Sequence, residues 1–172
     1  MKKTFFTLML LLASALAVNA QSLTSNPWFT MLEMDGDEAA FVINFDADGT
    51  CAIVFGADEV MDEDGMKMTI SMTAMVPGTY KLDGKNLSIT LDEAGANVDV
   101  DYAIEGVDAA TKKMMDAMIK PELEKQKPEL KKTVMSGMPK MGNMKVVSVS
   151  KEKLVLADEE GTEMTFMPAP DE

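Results

Sequence analysis

Apolar and polar residues alternate along most of this chain. From Met66 to Ala74 every even position is apolar (Met66, Met68, Ile70, Met72, Ala74) and every odd one polar (Lys67, Thr69, Ser71, Thr73). Val98, Val100, Tyr102 and Ile104 alternate with Asp99, Asp101, Ala103 and Glu105, and Leu87, Ile89 and Leu91 with Ser88 and Thr90. Successive side chains of a strand point to opposite faces, so this pattern predicts antiparallel strands with one buried and one wet face. Shorter runs of the same kind occupy Trp28–Glu33, Ala40–Asp46, Cys51–Phe55, Thr79–Leu82, Val146–Ser150, Leu154–Leu156 and Glu163–Met167.

Turn signals separate the runs: Asp46-Ala47-Asp48-Gly49, Asp62-Glu63-Asp64-Gly65, Asp83-Gly84, Gly95 with Asn97, and Asp158-Glu159-Glu160-Gly161. Glycine after aspartate supplies the positive φ that tight hairpins need. Strands joined in sequence by short hairpins form an up-and-down meander, and a sheet this large in one small domain hides its edges by closing. The prediction is an all-β chain, an antiparallel up-and-down β-barrel of about 8–10 strands. One late segment departs from it. Between Val107 and Gly137, Met114, Ala117 and Met118 recur at helical spacing among lysines, and Pro121 and Pro128 are expected to cut the stretch into two or three short helices. Asp108 and Glu129 sit near the expected helix starts, where negative charge is favoured. No tandem repeat is read here. The stretch is taken as a Lys-rich cap inserted in a single domain.

The ends and the charge refine this picture. Lys2 and Lys3, the apolar run Phe5–Val18 and the small-residue end Val18-Asn19-Ala20 read as a secretory signal over residues 1–20, leaving a single domain over 21–172. The expectation is export by the general secretory route to a soluble life in the periplasm or outside the cell, with no membrane span. Beyond Ala20 the chain holds 14 lysines against 29 acids, a net charge of −15. From Val107 to Lys145 the balance is +4, so the remainder carries −19 and the basic cap can dock on an acidic rim. Nucleic acid is not an expected partner, because its phosphates would be repelled. There is no histidine and no arginine. That removes imidazole catalysis, imidazole-ligated zinc and arginine phosphate clamps; Cys51 stands alone on an inward-facing strand position, where thiols are usually inert. No enzyme activity and no resident cofactor are expected.

The signal segment, the early Trp28 and the hairpin Gly78-Thr79-Tyr80-Lys81-Leu82-Asp83-Gly84-Lys85-Asn86-Leu87-Ser88-Ile89, with the closing hairpin Leu154-Val155-Leu156 to Met164-Thr165-Phe166, carry a resemblance. Together they resemble the secreted lipocalin-like, or calycin-like, proteins of Bacteroidetes-type bacteria, over most of the chain beyond residue 20 except the Lys-rich segment. The resemblance implies a barrel that binds a small apolar molecule without catalysis.

Candidates for that role lie on the predicted inner faces: Trp28, Phe41, Ile43, Phe45, Ile53, Phe55, Met68, Ile70, Met72, Tyr80, Tyr102, Met164 and Phe166. Trp28 is expected to close the base, and the hydroxyls of Tyr80 and Tyr102 either orient a ligand or stand at the rim. Methionine is the outlying residue, 16 beyond Ala20. Its flexible thioether suits surfaces that adapt to varied apolar ligands, or it simply fills a core. Met135, Met138, Met141 and Met144 recur every third residue. In an extended polyproline-type segment their sulfurs would share one side, and thioethers favour Cu(I); alternatively they plug the barrel mouth. A Cu(I)-binding protein, and a protein-interaction or inhibitor module using the basic cap, are therefore the alternatives to a ligand carrier. The Asp-rich turns do not fit an EF-hand: aligning Asn44, Asp46 and Asp48 puts Phe55 where a bidentate Glu is required. They are read as solvated hairpins.

Overall fold

A computed structural model describes residues 20–34, 37–63, 65–139 and 141–170. The signal segment thus lies outside the described residues, except for Ala20. A short helix α1 (Ala20–Leu23) leads into β1 (Trp28–Met34), β2 (Asp37–Phe45), β3 (Thr50–Glu63), β4 (Met66–Asp83), β5 (Asn86–Leu91) and β6 (Asn97–Glu105); helix α2 (Ala109–Gly137) follows, then β7 (Asn143–Val149), β8 (Leu154–Ala157) and β9 (Glu163–Pro168). Every pairing is antiparallel, and the ring β1-β2-β3-β4-β5-β7-β8-β9 closes on itself through Trp28 opposite Pro168 and Phe29 opposite Met167. The chain is therefore an all-β, lipocalin-like closed barrel of eight strands with one extra strand and one helical insert.

Two predicted runs, Met66–Ala74 and Thr79–Leu82, are one strand, β4. β3 lies along one edge of β4, while β5 pairs with Gly78–Asp83 and β6 with Lys67–Met75 on the other. β6 thus continues the line of β5 after an excursion through Asp92–Ala96. Pro77 stands at that excursion. Its carbonyl accepts from the Asp92 amide at 2.8 Å, so its missing N–H falls on the same edge, where the ladder is already interrupted. That is why a proline sits within a long strand here.

β2 follows β3 only as far as Gly56, opposite Ala40. Beyond it, β3, β4 and β6 leave the ring as a three-stranded tongue, and α2 packs on β6. At the tongue tip Gly106 has φ +83, and a Cβ there would run into the carbonyl of Gly65. Only glycine lets the chain turn so closely from β6 into α2.

The helix corrects the expectation of short pieces. It is one 29-residue helix with both Pro121 and Pro128 inside it. Each proline deprives the carbonyl four residues earlier of its donor, at Ala117 and Glu124. Both prolines and both of those residues are exposed, so water replaces the lost bonds. Lys120–Leu123 and Lys127–Leu130 both read Lys-Pro-Glu-Leu, a seven-residue repetition that keeps the prolines on one side, counter to the reading of no repeat. Asp108 caps the start as expected, accepting from the amides of Ala110 and Thr111 at 2.9 and 3.0 Å, and the bonds from Thr111 hold its carboxyl below the usual range. Glu129 lies mid-helix, not at a start. Three i,i+3 pairs, Lys125–Glu122, Lys127–Glu124 and Lys132–Glu129, run along it. The basic insert does dock on an acidic strand: Lys127 reaches Asp99 at 3.3 Å, and Lys131 donates to the carbonyls of Ala94 and Ala96 at 3.2 and 2.7 Å.

At the barrel base the core is dense. Trp28, Phe41, Phe45, Phe166, Leu154 and Leu156 are fully buried, and the Trp28 indole N–H donates to the Leu23 carbonyl of α1 at 2.7 Å. The Phe41 and Phe166 rings lie 6.2 Å apart, and Tyr80 meets Phe45 edge-on at 4.9 Å. Two turns of the same design, Asp46–Gly49 and Asp158–Gly161, carry a positive-φ glycine bonded back to the aspartate carbonyl at 3.1 Å. Among the described residues, the carboxylates of Asp48 and Asp158 accept from local donors, as hairpin turns require.

Candidate functional site

The thirteen residues expected to line a cavity separate into three groups. Trp28, Phe41, Ile43, Phe45, Ile53, Phe55, Tyr80 and Phe166 all belong to the buried core of the barrel. They are packed together in one buried cluster. Met72 and Met164 are partly buried and pack on that core from above. Met68, Ile70 and Tyr102 lie on the tongue, half-buried and beyond the ring.

Both tyrosine hydroxyls donate to groups of the protein itself. Tyr80 donates to the Asp46 carbonyl at 2.9 Å, pinning the β2–β3 turn under the base, and burial pushes its phenol's pKa up. Tyr102 donates to Asp116 at 2.5 Å, tying β6 to α2; desolvation first, then the Asp116 bond, push its phenol up to about 12. Cys51 does face inward as expected. Burial, with Asp46 nearby, lifts its thiol to about 11, so it stays protonated at neutral pH.

Above the packed base lies a second apolar floor with a different character. Leu32, Met72, Val100, Leu130, Met138 and Met164 are each only partly buried against the core. β1, β4, β6, β9 and the end of α2 all contribute to it. Val134, Met141 and Met144 are buried in the core that it packs against. Beside Met164 an open cleft of about 530 Å³ runs between Pro139 and Gly142 on one side and Asp158, Glu159 and Glu160 on the other. A smaller cleft of about 340 Å³ lies between β6 and α2, flanked by Tyr102, Lys120 and Leu123.

Sequence reasoning missed Leu32, Val100, Leu130 and Val134 as parts of the mouth. For the last two the signal was present: Leu123, Leu130 and Val134 lie on one stripe of a continuous helix. It is visible only once both prolines are allowed inside.

The repeated methionines do not form an extended ladder of sulfurs. α2 continues through Met135 to Gly137, so Met135 is helical; Met138 is the C-cap, and Met141 and Met144 are enclosed in the core. Of the two alternatives for this segment, the arrangement matches the apolar plug. Elsewhere methionine does the opposite of filling. Among the fifteen methionine side chains described beyond residue 20, only Met141 and Met144 are buried, while Met31, Met61, Met75, Met114, Met118 and Met167 are exposed, Met118 by 70%.

Among the described residues, no three His, Cys, Asp or Glu side chains gather to hold a metal ion, and no helix is long and apolar enough to cross a membrane. No family model matches this chain, and no curated protein matches it. Its lipocalin-like character therefore stands on strand topology.

Proposed function

We propose that this is an exported, non-catalytic protein that binds a small apolar molecule at the barrel mouth, under the C-terminal part of α2. The observation that carries the reading is the split of the interior into two floors. The base is closed by fully buried aromatic and aliphatic side chains, whereas the floor above it is apolar, half-exposed and methionine-bearing. An unbranched thioether adapts to guests of different shape at little strain, and leaving such a surface half-open costs free energy unless something covers it. The ligand sits high, against Met72, Met138 and Met164, and α2 acts as its lid. Export rests on the basic and apolar leader of residues 1–20.

A fluorescent apolar probe titrated into the protein, with native mass spectrometry of material purified from its host, tests this. The expected result is saturable probe binding that a Met164→Trp variant, filling the mouth, weakens at least tenfold while the fold is kept. Equal binding by both proteins overturns the site. No saturable binding of any apolar probe, with no apolar compound in native material, overturns the function.

A further inference from the structure

The methionines that the barrel mouth does not use are not scattered on the tongue. Strand register sets Met61 of β3 directly opposite Met68 of β4. Met66 lies two residues before Met68, so strand alternation puts it on the same face. That face is continuous with the barrel interior, since Met72 and Ala74 share its parity on β4. Here no second layer seals it: Met61 is exposed, and Met66 and Met68 are half-buried. In the next strand of the same row, Ile104 stands opposite Met68 and is buried. Packing under α2 therefore accounts for Ile104, but it does not account for three thioethers placed where the cover ends.

The spacing suits a shared ion. Directly opposed residues have Cβ atoms about 4.5–5.5 Å apart and diagonal ones about 7–8 Å apart, and alternate residues on one strand are about 6.5 Å apart. Each sulfur sits two bonds beyond its Cβ on a flexible arm. With soft-metal–sulfur bonds of roughly 2.3 Å, three arms on such a triangle can converge above its centre. Thioethers are soft and uncharged, which selects Cu(I) over Zn(II), Mg(II) or Ca(II). No imidazole or accessible thiolate competes for the ion: the chain has no histidine, and its one cysteine is buried in the barrel. A protein with net charge −13, and with exposed Glu59 two residues from Met61 on the same face, attracts a monocation.

We propose that Met61, Met66 and Met68 form a Cu(I)-binding site at the tip of the tongue. The site shares no residue with the apolar mouth, so it stands or falls independently of that function. It also differs in place and in donors from the repeat at Met135–Met144, two of whose sulfurs are enclosed.

The test uses the secreted-length protein with its full barrel. Anaerobic competition against a chromophoric Cu(I) chelator measures stoichiometry and affinity. Methionine ε-methyl NMR with Ag(I), a soft ion of the same charge without redox chemistry, locates the ligands. We expect one equivalent bound, with methyl shifts at Met61, Met66 and Met68 and none at Met31, Met75 or Met167 on the outer face. The variant M61L/M66L/M68L keeps side-chain volume and should lose affinity at least tenfold, whereas M31L/M75L/M167L should not. Unchanged affinity in the tongue variant overturns the proposal. So do shifts confined to Met135–Met144, or no retained metal in the wild type. If the tongue variant misfolds by circular dichroism, the methyl shifts of the wild type decide.

Discussion

The base of the barrel and the tongue are built from the same strands, β3 and β4, yet they are different materials. At the base, β3 presents Cys51, Ile53 and Phe55 to a ring of neighbours closed on all sides, and each is buried. Farther along the same strand Glu59, Val60 and Met61 are exposed, because the pairing with β2 stops at Gly56 and only β4 remains paired beside it. On β4 the alternation runs cleanly into the tongue, from Ala74 back to Met66, while on β3 it lapses, with Glu59 on the inward parity and Val60 on the outward one. Burial comes from the number of layers a strand face meets, and the tongue meets only one helix, of which Val134 alone is buried among the described residues. The contrast assigns stability to the base and adaptability to the mouth and tongue.

Trp28→Ala should strike the base hardest, costing about 3–5 kcal/mol through its cavity and the lost bond to Leu23. Denaturant unfolding measures this, and a cost below about 1 kcal/mol would show that the base is not the main source of stability. Gly106→Ala should act on the other half. Its positive φ and the contact with Gly65 make any Cβ strained, by about 1–3 kcal/mol. Hydrogen exchange should then quicken across β6 and α2 while the strands around Trp28 stay protected; uniform quickening would mean that the two halves unfold as one unit.

Replacing both helix prolines by alanine restores two backbone bonds and should stabilise α2 by about 1–2 kcal/mol, after the loosening of the unfolded chain is counted. Slower exchange in α2 alone is the expected readout. If the double variant is instead destabilised, the bend imposed by the prolines is needed for docking.

Two pH edges separate the regions further. Asp108 has a lowered folded pKa, so its cap is fully effective above its ordinary value of 3.8 and fails as pH falls through the folded value. Helix signal should fall in acid, and Asp108→Asn should remove that part of the acid loss, leaving the share of Asp48 in the β2–β3 turn. Cys51 is raised from 9.0 to about 11, so its contribution is complete below pH 9 and is lost as pH rises toward 11. Cys51→Ala should flatten the alkaline slope of barrel unfolding. The smallest effect belongs to Met114 and Met118, exposed by 62% and 70%: alanine at either should change stability by no more than about 0.5 kcal/mol. A larger loss would reveal a packed face where the structure shows an open one.

Much of this was legible in the residues. The parity of Trp28, Phe41, Ile53 and Phe166 marked them as inward, and the Asp-x-x-Gly turns marked where strands reverse. Pro121 and Pro128 misled, because a proline reads as a break when the environment of its missing N–H is unknown. In α2 that position faces water. The candidate ligand residues were chosen by inward parity, which does not distinguish a sealed layer from a half-open one.

Composition and period-two alternation determined by themselves that this is a closed antiparallel barrel with a basic helical insert. Those signals are local, and each residue carries its share. Tertiary structure decided where β3 outruns β2, how far the helix continues, and which methionines are enclosed. Those are properties of stagger and layer count, which depend on partners distant in sequence. The same thioether therefore plugs the core at Met144 and stands half-open at Met68.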